Sequence, residues 1–412
     1  MKFYSPRHIY IHFPYCLYKC HYCDFNSFAY ERENIPQENY FEALLSEIKL
    51  RKHIFEETGK SFFPKKTLIQ TIFFGGGTPS LMPAQYIEGI LKILFQEFSF
   101  APDIEITLEA NPGTITREHI QNFQNAGITR VSLGVQSLQE NHLSKFGRIH
   151  TAQEALHAIN WLTKSHLQTS VDLIYGFPDQ TLTDWEKNLE EICKYNLNHL
   201  SCYALTAESG TKYTKDLKLG ILKDTPSDLA AQMQEETYRF LEANNFQSYE
   251  ISNFAKTNPC EHNLGYWRYH SYLGLGAGAC SQFVLGEIQN SVRCYRQTDA
   301  LVPEQYLRLL KKSSPFFQEE FIEEKIAIKE YLMMGLRTQE GISHQDFQKL
   351  FGENFPTFFR ETILNNVQLG RLITDISHTA PTRQGYLWNN QMVREFFDCG
   401  DCATTDKKAV FR

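Results

Sequence analysis

Short apolar runs rich in β-branched residues alternate, over the first half of the chain, with longer stretches whose apolar residues recur every three or four positions. The short runs predict strands over His8–Phe13, Leu68–Phe74, Glu105–Glu109, Arg130–Gly134, Thr169–Ile174 and His199–Tyr203. The longer stretches predict helices. Phe41, Leu44, Leu45 and Ile48 share one helical face, and similar patterns follow Met82, Thr114, Thr151 and Thr181. Thr151 and Thr183 are expected N-caps. Six strand–helix units in a row imply a parallel sheet with right-handed crossovers, closed wholly or partly into a (β/α)6 barrel.

The alternation weakens after about Ser209, and residues 210–300 mix aromatic and Gly-rich patches. From Val302 the pattern turns helical through YLRLL and EKIAIKEYLMMGLR. Ser343 is expected to cap a short helix, and TFFRETILNNV forms another. Leu372–Thr374 and Tyr386–Trp388 then predict two short strands around a turn. Helices followed by a hairpin suggest a small winged-helix-like domain. The chain thus divides into an α/β core over 1–235, a connecting segment over 236–301, a C-terminal domain over 302–395 and a tail over 396–412.

Composition adds exclusions. Hydrophobic residues at 42% are enough for full globular cores. A net charge of -7 argues against a general nucleic-acid binder, which needs excess Lys and Arg to neutralise phosphate. No window has the apolar length of a membrane span, and the first residues lack a signal peptide's apolar core. A cytoplasmic location is expected.

Of ten cysteines, three are grouped in Cys16-Leu-Tyr-Lys-Cys20-His-Tyr-Cys23, directly after the first strand. In a reducing compartment such a group reads as metal ligands or redox chemistry. Three thiolates can hold three irons of a [4Fe–4S] cube and leave the fourth open to a small molecule. A zinc site is the alternative, but zinc usually takes a fourth Cys or His, and His21 lies between the cysteines on a short loop. Unremarkable buried cysteines are the other. Cys399 and Cys402 form a second, C-x2-C pair in a polar tail, read as a tail feature rather than a metal site.

Polar and glycine residues gather at the ends of the later strands. The second strand runs into Gly75-Gly76-Gly77-Thr78-Pro79, where a ligand could approach the backbone closely. Glu109 closes ITLEANP, Gln136 follows VSLGVQS, Asp172 lies in SVDLIYGFP and Arg148 in FGRIH. In βα barrels, ligand sites collect at that face. Singly, each of these residues is more often a solvated or capping group. His262-Asn263-Leu264-Gly265-Tyr266-Trp267 adds a histidine able to ligate iron beside aromatic rings able to stack on a macrocycle, against the plainer reading of a packed loop.

The Cys-x3-Cys-x2-Cys loop after a first barrel strand resembles the radical S-adenosylmethionine superfamily. YIHFPYC, FGGGTPS, TLEANPG, SLGVQS and DLIYGFP together resemble its oxygen-independent coproporphyrinogen oxidase group. The resemblance implies that Cys16, Cys20 and Cys23 hold the cluster. It also implies that S-adenosylmethionine is contacted by Tyr10, Tyr22, Gly76, Gly77, Thr78, Glu109, Gln136, Arg148 and Asp172. One-electron reduction from a flavodoxin or ferredoxin would then yield a 5′-deoxyadenosyl radical.

The group has a dehydrogenase arm, which converts coproporphyrinogen III to protoporphyrinogen IX, and a heme-chaperone arm. Phe25 stands where the dehydrogenase pattern has a fourth cysteine, Cys16 is close to the start of the sequence, and HNLGYW matches the chaperones' HNxxYW. These features favour the chaperone arm over an active dehydrogenase. That arm implies heme on His262, delivery to an acceptor hemoprotein of the respiratory kind, and a homodimer as an accessible state.

Overall fold

The computed structural model describes residues 4–57, 68–289, 292–312 and 317–399. All six expected strands form, as β1 (His8–Phe13), β2 (Leu68–Gly76), β3 (Ser99–Ala110), β4 (Arg130–Gln136), β5 (Gln168–Tyr175) and β6 (His199–Ala204). They pair in parallel in chain order. The sheet is larger than the six units, however. β7 (Gln247–Ser248) and β8 (Asn253–Ala255) extend it antiparallel beyond β6. β9 (Tyr272–Leu275) pairs in parallel with the free edge of β1. β10 (Cys280–Gln289), β11 (Val292–Asp299) and β12 (Phe317–Glu323) continue antiparallel from there. The 12-stranded order is β12-β11-β10-β9-β1-β2-β3-β4-β5-β6-β8-β7. Residues 236–301, expected as a connection, thus supply five of its strands.

Registry sorts the side chains of the core strands into two sets. His8 pairs with Thr71 and Tyr10 with Phe73, Glu109 with Ser132, Ser132 with Ser170, and Ser170 with His199. The alternate positions, Ile9, Ile11, Ile72, Phe74, Ile106, Leu108, Val131, Leu133, Val171, Leu173 and Leu200, are buried and apolar. They pack with the flanking helices Ala84–Glu97, Ala152–Leu162 and Leu182–Ile192. Period-2 alternation therefore places apolar residues outward under helices and polar ones on the concave face.

Helix starts follow local chemistry. Thr151 forms a capping box with Glu154, as expected. The second expected cap is displaced: Thr181, not Thr183, caps the helix Leu182–Ile192, because Asp184 completes its box three residues on.

The C-terminal region packs a separate core around Leu332, Phe347, Phe355, Phe359 and Phe396. Ser343 caps the helix His344–Phe351, and Leu372–Thr374 is a strand, as expected. Tyr386–Trp388 is not one. The hairpin partner is His378–Pro381, and Thr382 then caps the helix Arg383–Leu387. Gly385 is needed there, since a Cβ would lie 2.1 Å from the Arg371 carbonyl. Among the described residues no helix is long and apolar enough to cross a membrane.

One buried cation ties the outer strands to the core. Arg51, on the helix Gln37–Glu57, meets Glu47 at 3.2 Å and also contacts Asp299 and Gln297 of β11. Arg51→Ala would strand two carboxylates away from water, so a loss of about 3–5 kcal/mol of unfolding free energy is expected. Urea denaturation of the two proteins measures it, and a difference within error would show that the network carries no weight.

Candidate functional site

The loop over residues 14–29 carries all three grouped cysteines and is pinned at several points. His12, on β1, donates from Nε2 to the Asn26 carbonyl at 2.8 Å, which leaves Nδ1 to accept from the Tyr10 hydroxyl at 2.9 Å. Asn26 Nδ2 donates to the carbonyls of Ala277 and Leu301. Lys19 Nζ donates to the carbonyls of Phe25 and Ser27. His21 contacts Tyr18 OH at 3.1 Å through Nε2 and the Lys145 carbonyl at 2.9 Å through Nδ1. Both ring nitrogens of His21 are therefore engaged, and it is no candidate for a fourth metal ligand.

A cavity of about 500 Å³ opens over this loop at the carboxyl ends of the core strands. Its walls hold Cys16, Cys20 and Cys23 together with Tyr22, Gly76, Gly77, Thr78, Glu109, Gln136, Arg148 and Asp172. Eleven residues scattered over 157 positions of sequence thus meet in one place. Thr78 Oγ1 donates to Cys16 Sγ at 3.4 Å, and Arg148 donates to Cys20 Sγ at 3.4 Å. Gly77 lets the β2 turn press on the loop: a Cβ there would lie 2.7 Å from the Tyr15 carbonyl and 3.0 Å from Cys16 Sγ. Gln136 is held at φ 68, a left-handed conformation that costs a non-glycine residue energy and marks functional walls.

Burial dominates the electrostatics. It raises the Cys16 and Cys23 thiols above their ordinary range, and neighbouring thiols add to the shift. Burial also raises Tyr22 and Asp172. Asp172 is held by Ser132 Oγ at 3.0 Å. Glu109 accepts from Gly76 N at 3.1 Å and is pushed up to about 8, by burial first and then by the nearby Asp172 charge.

Two expected contacts lie elsewhere. Tyr10 is not in the cavity wall; its ring stacks on Phe73 and its hydroxyl bonds His12. His262 is not in the cavity wall either. It sits on the helix Glu261–Trp267, is 1% exposed, and bonds Thr71 Oγ1 through Nδ1 at 2.6 Å and Tyr266 OH through Nε2 at 3.0 Å. Burial also lowers its basicity. An axial role for His262 does not fit this geometry, because neither nitrogen is available to an iron. Among the described residues Cys399 has no disulfide partner, and Cys402 lies outside them.

Ser132, Asn111, Thr114 and Tyr203 also line the cavity and were not singled out in the sequence. Alternation could have found two of them: Ser132 is two residues before Gly134 and four before Gln136 on β4, and Tyr203 shares the His199 and Ser201 face of β6. Asn111 and Thr114 follow β3 in a 3-10 turn, where no period helps.

Residues 10–192 match the model of the radical SAM superfamily, and residues 322–388 match that of the HemN C-terminal domain. The chain is 33% identical to the heme chaperone HemW of Haemophilus influenzae over 95% of this chain and 98% of that one. The chain belongs to the HemN/HemW group of the radical SAM superfamily. Within that group it is also 38% identical to the heme chaperone HemW of Escherichia coli, over 66% of this chain and 69% of that one. The solved coproporphyrinogen III oxidase (HemN) of Escherichia coli shares its fold, with a TM-score of 0.76 at 20% identity over 95% of this chain and 90% of that one.

The superfamily implies a [4Fe–4S] cluster and S-adenosylmethionine, and the cavity suits both. Cys16 and Cys23, made reluctant to ionise by burial, gain a strong reason to do so from iron. Arg148 keeps a buried Nε without a partner among the described residues, and Glu109 and Asp172 present two carboxyls suited to an ammonium group and a ribose.

The raised Glu109 makes a stability prediction. The fold favours its neutral carboxyl, so ionisation costs stability progressively from the ordinary value of 4.5 up to about 8. Glu109→Gln removes that cost. Its unfolding free energy is expected to exceed the parent's, by on the order of a few kcal/mol above a pH of about 8, and to converge with it below about 4.5. Denaturation across that range is the measurement, and a gap that stays constant with pH would refute the assignment.

Proposed function

We propose that this protein is a heme chaperone of radical SAM type, which binds heme and passes it to an acceptor hemoprotein. The observation that carries the reading is the end-to-end similarity to the Haemophilus influenzae heme chaperone, at 33% identity over 98% of that chain. Phe25 supports it. Its exposed ring lines the cavity two positions beyond Cys23, where the dehydrogenase pattern would place a fourth thiol.

In this reading Cys16, Cys20 and Cys23 would hold a [4Fe–4S] cluster, and three protein ligands would leave one iron open to the amino acid end of S-adenosylmethionine. The cluster supplies low-potential electron transfer when bound. The chain's own groups do the positioning. Gly76, Gly77 and Thr78 offer a close backbone edge. Glu109 takes the ammonium, and a bound cation would draw its carboxyl back toward ionisation and release a proton. Asp172, held by Ser132, would take the ribose, and Gln136 and Arg148 would hold the nucleoside side. Tyr22, packed on Phe146, walls the cluster loop. Tyr10 acts behind this wall by fixing His12 and through it Asn26. A flavodoxin or ferredoxin would serve as electron donor, and a homodimer as a working assembly.

The deciding experiment is an anaerobic titration of the reconstituted protein with heme, run beside coproporphyrinogen III turnover. A saturable Soret band near one heme per chain, with no protoporphyrinogen IX formed, is expected. Absence of heme binding would sink the chaperone reading. Product formation would instead favour the dehydrogenase. Cys20→Ala is expected to lose bound iron and sulfide while remaining folded by circular dichroism; retention of a full cluster would refute the ligand assignment.

A further inference from the structure

A second cavity, of about 320 Å³, lies at the opposite end of the barrel. Arg7 and Ser271, which directly precede β1 and β9, stand in its wall, so the length of β1 (~20 Å) separates it from the cluster end. The C-terminal domain closes its other side with Tyr331, Asp346 and Lys349. Ligand sites favour such junctions between domains.

His270 lines this cavity, and its two nitrogens differ. Nδ1 meets His8 Nε2 at 3.1 Å. Nε2 has no hydrogen-bond partner among the described residues, and it is not one of the sealed, unpartnered polar atoms. It therefore faces the open cavity.

Behind His270 runs a continuous relay. His8 Nδ1 meets Thr71 Oγ1 at 2.9 Å, Thr71 Oγ1 meets His262 Nδ1 at 2.6 Å, and His262 Nε2 meets Tyr266 OH at 3.0 Å. One proton direction satisfies every link and fits a metal at the open end. His270 Nδ1–H donates to His8, His8 Nδ1–H to Thr71, Thr71 O–H to His262, and His262 Nε2–H to Tyr266. A metal-bound imidazole is ordinarily oriented by such a donation from its other nitrogen.

The walls suit a flat, anionic macrocycle. Tyr4, Trp267 and Tyr331 supply aromatic surface, while Arg7 and Lys349 make no ion pair among the described residues. Arg268 is already committed to Glu340 and Glu261. That leaves two cations facing Asp346, a balance that favours carboxylates on the ligand. His378 shares the cavity on an exposed turn, with its Nδ1 near Ser377 Oγ.

We propose that heme docks in this second cavity, with His270 Nε2 as the axial iron ligand and Arg7 and Lys349 receiving its propionates. The proposal rests on the heme-chaperone reading, and it makes His262 a positioning residue acting through Thr71 and His8.

The test is heme titration of the reconstituted full chain, read by the Soret band and by electron paramagnetic resonance, with parent, His270→Ala, His378→Ala, His262→Ala and Arg7→Glu compared. His270→Ala is expected to weaken heme binding by about tenfold or more and to lose the histidine-ligated signature, with cluster iron unchanged. His378→Ala should keep that signature. His262→Ala should keep a histidine-ligated iron with altered spectral parameters. Arg7→Glu, an exposed change, should weaken binding several-fold and reduce its salt dependence. If the parent binds no heme, the chaperone reading itself falls. If the parent binds and His270→Ala matches it, only the placement is overturned. If His270→Ala fails to fold, Arg7→Glu decides, and an unchanged affinity overturns the placement.

Discussion

A barrel whose inner face is polar must pair most of the groups it encloses, and that requirement organises this molecule. A hydroxyl or imidazole removed from water without a partner costs on the order of 1–3 kcal/mol. The concave face carries many. His199 spans Ser170 Oγ at 2.7 Å and Tyr249 OH at 2.9 Å. Thr71 is shared by His8 and His262. Ser132 and Ser170 both reach Asp172. None of these bonds supplies the bulk of the stability, which comes from the apolar positions facing the helices. They decide instead which register, rotamers and strand order are tolerable.

The same requirement explains why the barrel is open at one end and stoppered at the other. At the carboxyl end Glu109, Asp172 and Arg148 retain bonding capacity, and the space over them is a cavity rather than packed side chains. At the amino end the helix Glu261–Trp267 enters the concave face. Its start is fixed by Glu105, which accepts from the backbone N–H groups of Glu261 and His262 at 3.1 Å each. Gly265 is forced by this fit, because a Cβ would lie 2.3 Å from His8 Nε2. A polar lumen thus receives a polar plug, with His262 and Tyr266 as its inner face.

Much of this was legible in the sequence, and the failures have physical causes. The core strands were readable because β-branched runs alternate cleanly, and β1 matches its expected ends residue for residue. Eleven of the expected cofactor-end residues converge because parallel strands deliver their ends to one face. Of the strands added to the sheet, β7 to β9 were missed because they are only two to four residues long, too short for any period to register, whereas β10 to β12, of seven to ten residues, were long enough to carry one and were still not read. The Thr181 cap was misplaced by two residues because either threonine precedes the apolar run, and only the partner Asp184 separates them. Tyr386–Trp388 looked like a strand from its aromatic content, whereas Thr382 and the absent Cβ of Gly385 select a helix. His262 was read by residue type, which says nothing about how many of its nitrogens are already engaged.

The spacing within HNLGYW says more than its composition. His262 and Tyr266 are four residues apart, so they share one face of the helix and meet each other at 3.0 Å. Asn263 and Trp267 are also four apart, and they share the adjacent face. There Asn263 Nδ2 donates to Tyr249 OH at 3.3 Å, and Trp267 walls the second cavity with Arg337 5.2 Å above its ring. One short helix therefore serves two surfaces at once. Its inner face completes the lumen's hydrogen bonding, and its outer face shapes the pocket beside the C-terminal domain. A rigid element shared in this way cannot be altered on one face without consequence on the other. That makes the motif a structural link between the barrel interior and the second cavity, whichever of the two its residue types first suggest.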